Sequence, residues 1–199
     1  MKKFYLENMS SIHKFIINQI ALSLFGIMIT WPVSDKSLTL ILIMGCFSSV
    51  FFCYMQYDNL WSLGALHRNR VINKRMEYTP LYGLKISLFA YIPSALIVLL
   101  CYISRIFPGV TFFDNLYLIM DVIFTFLLNG MYSGFQIALN TVVGDSFATL
   151  LPWIFPLFFV PGIAVCALAY YLGVNDKQIK CFFGMKPSTD VVETKGKKK

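Results

Sequence analysis

The sequence predicts an all-α integral membrane protein: a bundle of four transmembrane helices plus a membrane-embedded, polar-striped helix on the outer side. Three observations predict it. Four apolar windows, 12–33, 37–57, 81–104 and 150–173, are each long enough to cross a bilayer, since about 20 mostly apolar residues cover about 30 Å of hydrocarbon. Basic residues fall almost entirely on one side of those windows. A further stretch, about 114–141, carries polar residues at helical spacing in an apolar background. Composition excludes a soluble domain. Of the 199 residues, 57% are hydrophobic and 14% charged, against roughly 45–50% and about 25% in average soluble domains.

Residues 1–175 are read as one membrane domain. The segment 176–199, with repeated Lys among Pro, Ser, Thr and Gly, is read as a basic, disordered cytoplasmic tail. The start, Met1-Lys2-Lys3, imitates a secretory signal. The run Phe15–Val33 exceeds an ordinary signal core, however, and no small-x-small cleavage site follows it, so the first span is retained. After the second span, the first half of Asn59–Pro80 continues the helix, and Pro80 separates it from the third. Pro93 in the third span and Pro152, Pro156 and Pro161 in the last mark helix starts or kinks, tolerated where neighbours satisfy the freed carbonyls. Trp31, Trp61 and Trp153 each end a span, where amphipathic rings prefer to sit. Cys46, Cys53, Cys101 and Cys166 lie inside spans as small hydrophobes, and Cys181 is a free thiol in the tail.

Lys and Arg accumulate in cytoplasmic loops. With four crossings, every basic residue except Lys36 and Arg105 falls on the side shared by both termini. That side is read as the cytoplasmic face of a bacterial plasma membrane. A fifth crossing at 113–143 is the alternative architecture, but it divides the basic residues almost evenly and discards this asymmetry.

Within that segment Asp114, Asp121, Thr125, Asn129, Ser133, Gln136 and Asn140 follow at steps of 7, 4, 4, 4, 3 and 4, one narrow stripe of a continuous α-helix. Gly130 and Gly134, with Ala138 four further on, form a small-residue face that lets another helix approach closely. A hairpin broken at Asn129-Gly130 is a variant that interrupts the stripe.

Two functions fit. The first is a non-catalytic subunit or accessory factor of a membrane complex, docked through small-residue faces. Arg68, Arg70, Lys74 and Arg75 would contact anionic lipid or an acidic partner. The alternative is a small solute transporter or capture component using Asp121, Thr125, Asn129, Ser133 and Gln136, because an ionisable group inside an apolar helix is costly and by default functional. An intramembrane enzyme fits least: His13 and His67 lie on the side opposite Ser133, and no Cys/His metal spacing or cofactor motif is found. The expected partners are the bilayer and a membrane protein or second copy, with no nucleic acid; any small-molecule ligand stays unidentified.

Overall fold

The computed structural model describes residues 2–75, 77–107, 109–144, 153–175 and 177. The described chain is helical, with no strand. Helix α1 (Lys2–Thr30) ends in a 3-10 turn at Trp31–Val33, and α2 (Leu38–Ile72) follows. Next come α3 (Tyr82–Ala90), α4 (Ile92–Ile106) and α5 (Thr111–Ile123), which runs into a π turn at Phe124–Leu128 and a 3-10 turn at Gly130–Tyr132. Helix α6 is Ser133–Val143. The last helix, α7 (Phe159–Val174), is preceded by a 3-10 turn at Phe155–Phe158.

Among the described residues, four helices are long and apolar enough to cross a membrane: Phe4–Val33, Leu38–Ile72, Thr111–Leu128 and Phe155–Val174. The pair α3–α4, bent by 50°, makes a fifth if it counts as one span. The window 81–104 is therefore not a straight helix. Pro93 has no N–H for the preceding turn, and the bend falls beside it at Tyr91. Pro161, in contrast, breaks nothing: it sits in the first turn of α7, where its missing N–H costs no bond. Residues 150–152 of the last predicted window lie outside the described residues, as do Cys181 and the tail from 178. Helices α1 and α2 outrun their predicted windows. At 1.5 Å per residue, the 35 residues of α2 extend about 52 Å, well beyond a hydrocarbon core of about 30 Å.

Side-chain pairs fix the course of the chain. Helices α1 and α2 run antiparallel, with Gln56 Nε2 donating to the Phe15 carbonyl at 3.3 Å and Asn59 Nδ2 to Ser11 at 3.4 Å. Helix α3 climbs alongside α1: Asn8 bonds Tyr82, Phe15 meets Tyr91, and Gln19 bonds Ser94. After the bend, α4 and α5 form an antiparallel hairpin closed at Gly109, whose φ of 85° suits a glycine turn. Phe107 stacks on Phe113, and Arg105 lies 3.9 Å over the Tyr117 ring. Helix α7 returns toward the start of the chain, with Tyr170 against His67 and the Trp61 indole donating to the Lys177 carbonyl at 3.0 Å. The N-terminal half of α1, the end of α2, the start of α3 and the end of α7 thus share one end of the bundle. Trp61 is buried by this packing, unlike Trp31 and Trp153, which are 69% and 70% exposed.

The continuous helix expected over 114–141 is not formed. The Asn129 N–H reaches back five residues to the Phe124 carbonyl at 2.8 Å. The extra residue in that turn rotates everything after it by about 100°. The sense of the chain also reverses. Leu128, Gly130 and Ser133 bond Gln19, Ser23 and Thr30 in turn, so this stretch climbs along α1, whereas α5 descends along α4.

Glycines permit the closest helix contacts. A β-carbon on Gly134 would lie 2.5 Å from Gly45 Cα, and one on Gly64 would lie 2.6 Å from the Tyr170 carbonyl oxygen. The expected small-residue face at Gly130, Gly134 and Ala138 therefore packs within the chain, against α1 and α2.

Candidate functional site

A cavity of about 550 Å³ opens between the N-terminal half of α1 and the C-terminal half of α2. Two acids, Glu7 and Asp58, and two cations, Lys14 and Arg70, line it together with Asn18, Asn59 and Ser62. Glu7, Ser11, Lys14 and Asn18 recur at steps of 4, 3 and 4 on α1, and Asp58, Ser62, Leu66 and Arg70 at steps of 4 on α2. Each set therefore faces one way, and the antiparallel register of α1 and α2 turns both toward one groove. Its inner edge is tied to the bundle through His67, which is 4% exposed. The His67 Nδ1 lies 3.1 Å from the Tyr170 hydroxyl, its ring packs edge-on to Tyr82, and Asn8 donates to the Tyr82 hydroxyl at 2.8 Å. His67 thus joins α2, α3 and α7 rather than standing alone beside the basic loop. A hydrophobic gradient does not single this groove out; the periodic spacing on the two helices does.

The residues predicted on one polar face are separated. Asp121 faces α4 in a cavity of about 290 Å³ lined also by Ser104, Arg105, Asp114 and Tyr117. Its Oδ1 is buried without a hydrogen-bond partner among the described residues. Thr125 is half-buried in the π turn. Asn129, Ser133 and Gln136 are buried on the other side of that turn, facing α1 and α2. The Ser133 and Thr30 hydroxyls are 2.5 Å apart, and the Asn129 and Gln136 amide nitrogens have no partner among the described residues. The π turn divides the stripe: Asp121 lines the cavity between α4 and α5, whereas Gln136 is buried on α6.

A second junction was not legible beforehand. The bend at Tyr91 and the break at Asn129 meet at the level of Gln19, midway along α1. Gln19 Nε2 donates to Ser94 Oγ at 3.1 Å and to the Leu128 carbonyl at 2.9 Å. Gln19 Oε1, Gln56 Oε1 and the hydroxyls of Tyr91 and Tyr132 are buried without partners among the described residues.

Arg70, Lys74 and Arg75 are exposed and Arg68 is half-buried, all at or beside the end of α2. Lys74 ends that helix at φ 54°, and the Arg75 N–H bonds the Arg70 carbonyl at 2.8 Å. Cations here complement the partial negative charge of the helix C-terminus. Among the described residues, no group of three His, Cys, Asp or Glu is placed to hold a metal. In comparisons with known protein families, curated proteins and solved structures, nothing matches this chain.

Proposed function

We propose that this chain is a non-catalytic subunit or accessory factor of a membrane complex, docking a polar segment of its partner in the α1–α2 groove. The observation that carries this reading is the groove itself. It presents both signs of charge, on the end of a helix pair too long to be covered by the bilayer, and its size is in the range of ligand-binding clefts. Both signs together favour a partner surface of mixed charge, selected by complementarity. Anionic lipid at Arg68, Arg70, Lys74 and Arg75 would hold the same end against the membrane.

The topology that goes with this reading has four crossings, formed by α1, α2, the bent pair α3–α4 and α7. The segment α5–α6 dips into the bilayer and returns to the face it left. Lys14, Arg68, Arg70, Lys74 and Arg75 then lie with both termini on the cytoplasmic face of a bacterial plasma membrane.

A photo-crosslinking side chain at Ser62 tests the docking. In native membranes it should give a discrete protein adduct that disappears with Asp58→Lys, while the same label at lipid-facing Leu99 gives none. An adduct equally strong from Leu99, or unchanged by the charge reversal, defeats the proposal.

A second reading, a carrier or capture component for a small solute, is favoured by the two helix breaks meeting at Gln19. Discontinuous membrane helices commonly place binding groups at mid-depth. The site would then centre on Gln19 and Asn129 rather than on Asp121. Binding or transport of any solute that survives Gln19→Leu unchanged excludes it.

A further inference from the structure

We propose that α4 and α5 form a hinged unit, pivoting at Tyr91 and at Asn129, and that Gln19 is the latch holding both pivots. This inference does not depend on a partner in the α1–α2 groove.

The two pivots are physically distinct from ordinary helix. At the first, the helix axis turns by 50° between Ala90 and Ile92. Pro93 cannot donate to the Phe89 carbonyl, so the ladder is already open there. At the second, Asn129 has φ −130° and ψ 5°, between a π turn and a 3-10 turn. Neither neighbouring turn has the regular bonding that resists bending.

Between the pivots, the hairpin carries its own small core. Val98 and Cys101 of α4 pack with Phe124 and Leu128, and Phe155, from the 3-10 turn before α7, completes the buried set. Its buried members are distinct from those of the main core, in which Phe15, Phe52, Tyr91, Tyr132 and Cys166 join α1, α2 and α7, while Phe158 and Phe159 pack against both. The hairpin can therefore move as a unit while the buried members of the main core stay together, provided its contacts with Phe158 and Phe159 slide. Across the boundary Phe124 packs on Phe155 and Phe159, with ring centroids 4.4 and 6.0 Å apart, and Ile20 of α1 packs on the same cluster.

The latch is one side chain. A single amide nitrogen, on a residue 1% exposed, donates to Ser94 just past the first pivot and to Leu128 just before the second. Beyond the second pivot the chain is held separately, by Ser23 accepting from the Gly130 N–H at 3.2 Å and by the Thr30–Ser133 contact. Removing Gln19 thus takes away the polar tie across both pivots, leaving the hairpin held by apolar packing on Ile20, Phe155, Phe158 and Phe159, and leaves α6 in place. Swinging outward, the hairpin uncovers Gln19 Oε1 and Asn129 Nδ2, both without partners in the closed arrangement.

Pulsed electron-electron resonance on the full chain in lipid nanodiscs reads this directly. Spin labels go on exposed Leu118 of α5 and exposed Met28 of α1, with Cys46, Cys53 and Cys181 changed to serine. A control pair on Met28 and Val160 reports the main bundle. Gln19→Ala should add a second Leu118–Met28 distance population, shifted by about 5 Å or more (roughly the rise of one helical turn), with the control pair unchanged. Ser94→Ala, which removes one of the two bonds and perturbs the fold less, should move the population in the same direction by a smaller fraction. An unchanged Leu118–Met28 distribution in both variants, with the control pair intact, overturns the latch. If Gln19→Ala disturbs the control pair, the Ser94→Ala distribution decides alone, by shifting or by staying as it was.

Discussion

Replacing Gly134 by alanine tests the close backbone contact between α6 and α2. The added β-carbon would lie 2.5 Å from Gly45 Cα, 2.8 Å from Gly45 N and 2.9 Å from the Ile41 carbonyl oxygen. Carbon atoms prefer separations of about 3.5–4.0 Å, so the shortfall is about 1 Å. All three obstructing atoms are backbone, and no side-chain rotation relieves the clash. Helix α6 must therefore back away from α2. A gap of that size forfeits a quarter to a half of each affected contact, which places the cost at about 1–3 kcal/mol, the usual range for overpacking. Since about 1.4 kcal/mol is a factor of ten in an equilibrium constant, Gly134→Ala should lower the folded-to-unfolded ratio by about 5- to 150-fold in a reversible detergent or steric-trapping titration. Gly45→Ala meets Gly134 Cα at 3.0 Å and should cost less. The double variant should cost clearly less than the sum of the two, because the first separation already makes room for the second methyl group. A Gly134→Ala protein as stable as the parent, within about 0.5 kcal/mol, would refute the contact.

Three further outcomes follow from named contacts. Lys74→Gly should raise stability by about 0.5–1 kcal/mol, because Lys74 ends α2 at φ 54° and glycine adopts that conformation without the β-carbon penalty; a lower melting temperature counts against it. The same variant should weaken binding to anionic vesicles by about fivefold, since a cation near such a surface contributes about 1 kcal/mol, whereas unchanged binding removes Lys74 from the lipid contact. Trp61→Phe keeps an aromatic, though smaller, ring and removes the donor to the Lys177 carbonyl at 3.0 Å; hydrogen exchange at residues 173–175 should accelerate at least about fivefold, as expected for the loss of about 1 kcal/mol, with the middle of α7 unaffected.

The sequence carried the helical architecture because apolar length is a direct physical requirement of the bilayer. It was less informative wherever a single backbone turn decides direction. The polar series from Asp121 to Asn140 is evenly spaced, and even spacing implies one face only while the turn stays α. The break after the π turn at Phe124–Leu128 is held by tertiary bonds to Gln19 and Ser23, far away in sequence; its one local sign is the Asn129-Gly130 turn dipeptide of the broken-hairpin variant, which the unbroken spacing outweighs. The same periodic test, applied to Glu7–Asn18 and Asp58–Arg70, would have marked the α1–α2 groove. The groove straddles the edges of the apolar windows: Lys14 and Asn18 fall inside 12–33, whereas Glu7, Ser11 and the Asp58–Arg70 set fall outside them, so no single window displays the pattern. Trp61 has an interfacial sequence context, yet the close approach of Gly173 to its carbonyl buries its ring.

The polar residues inside the apolar stretches of α1 and α2 acquire a common explanation from the broken segment. Irregular backbone at membrane depth is tolerated only where protein or water satisfies its freed groups. At this break the Leu128 carbonyl accepts from Gln19, the Gly130 N–H donates to Ser23, and the Met131 carbonyl accepts from Ser49 at 3.1 Å. Gln19, Ser23 and Thr30 recur at steps of 4 and 7, a single face of α1, and that face runs along the reversal. The segment Thr111–Leu128 has the length and composition of a span, but those properties alone do not carry the chain onward through the level of Gln19. What turns it back is the polar strip on α1, which makes an interrupted helix as well satisfied as a continuous one. Changing Ser23 and Ser49 together to alanine should therefore destabilise the bundle by more than the roughly 0.6 kcal/mol typical of one hydrogen bond between membrane helices, because it strands two backbone groups rather than two side chains. A loss no larger than that average, measured in the same titration as for Gly134, would mean that water satisfies the break and that the strip on α1 does not determine where the chain reverses.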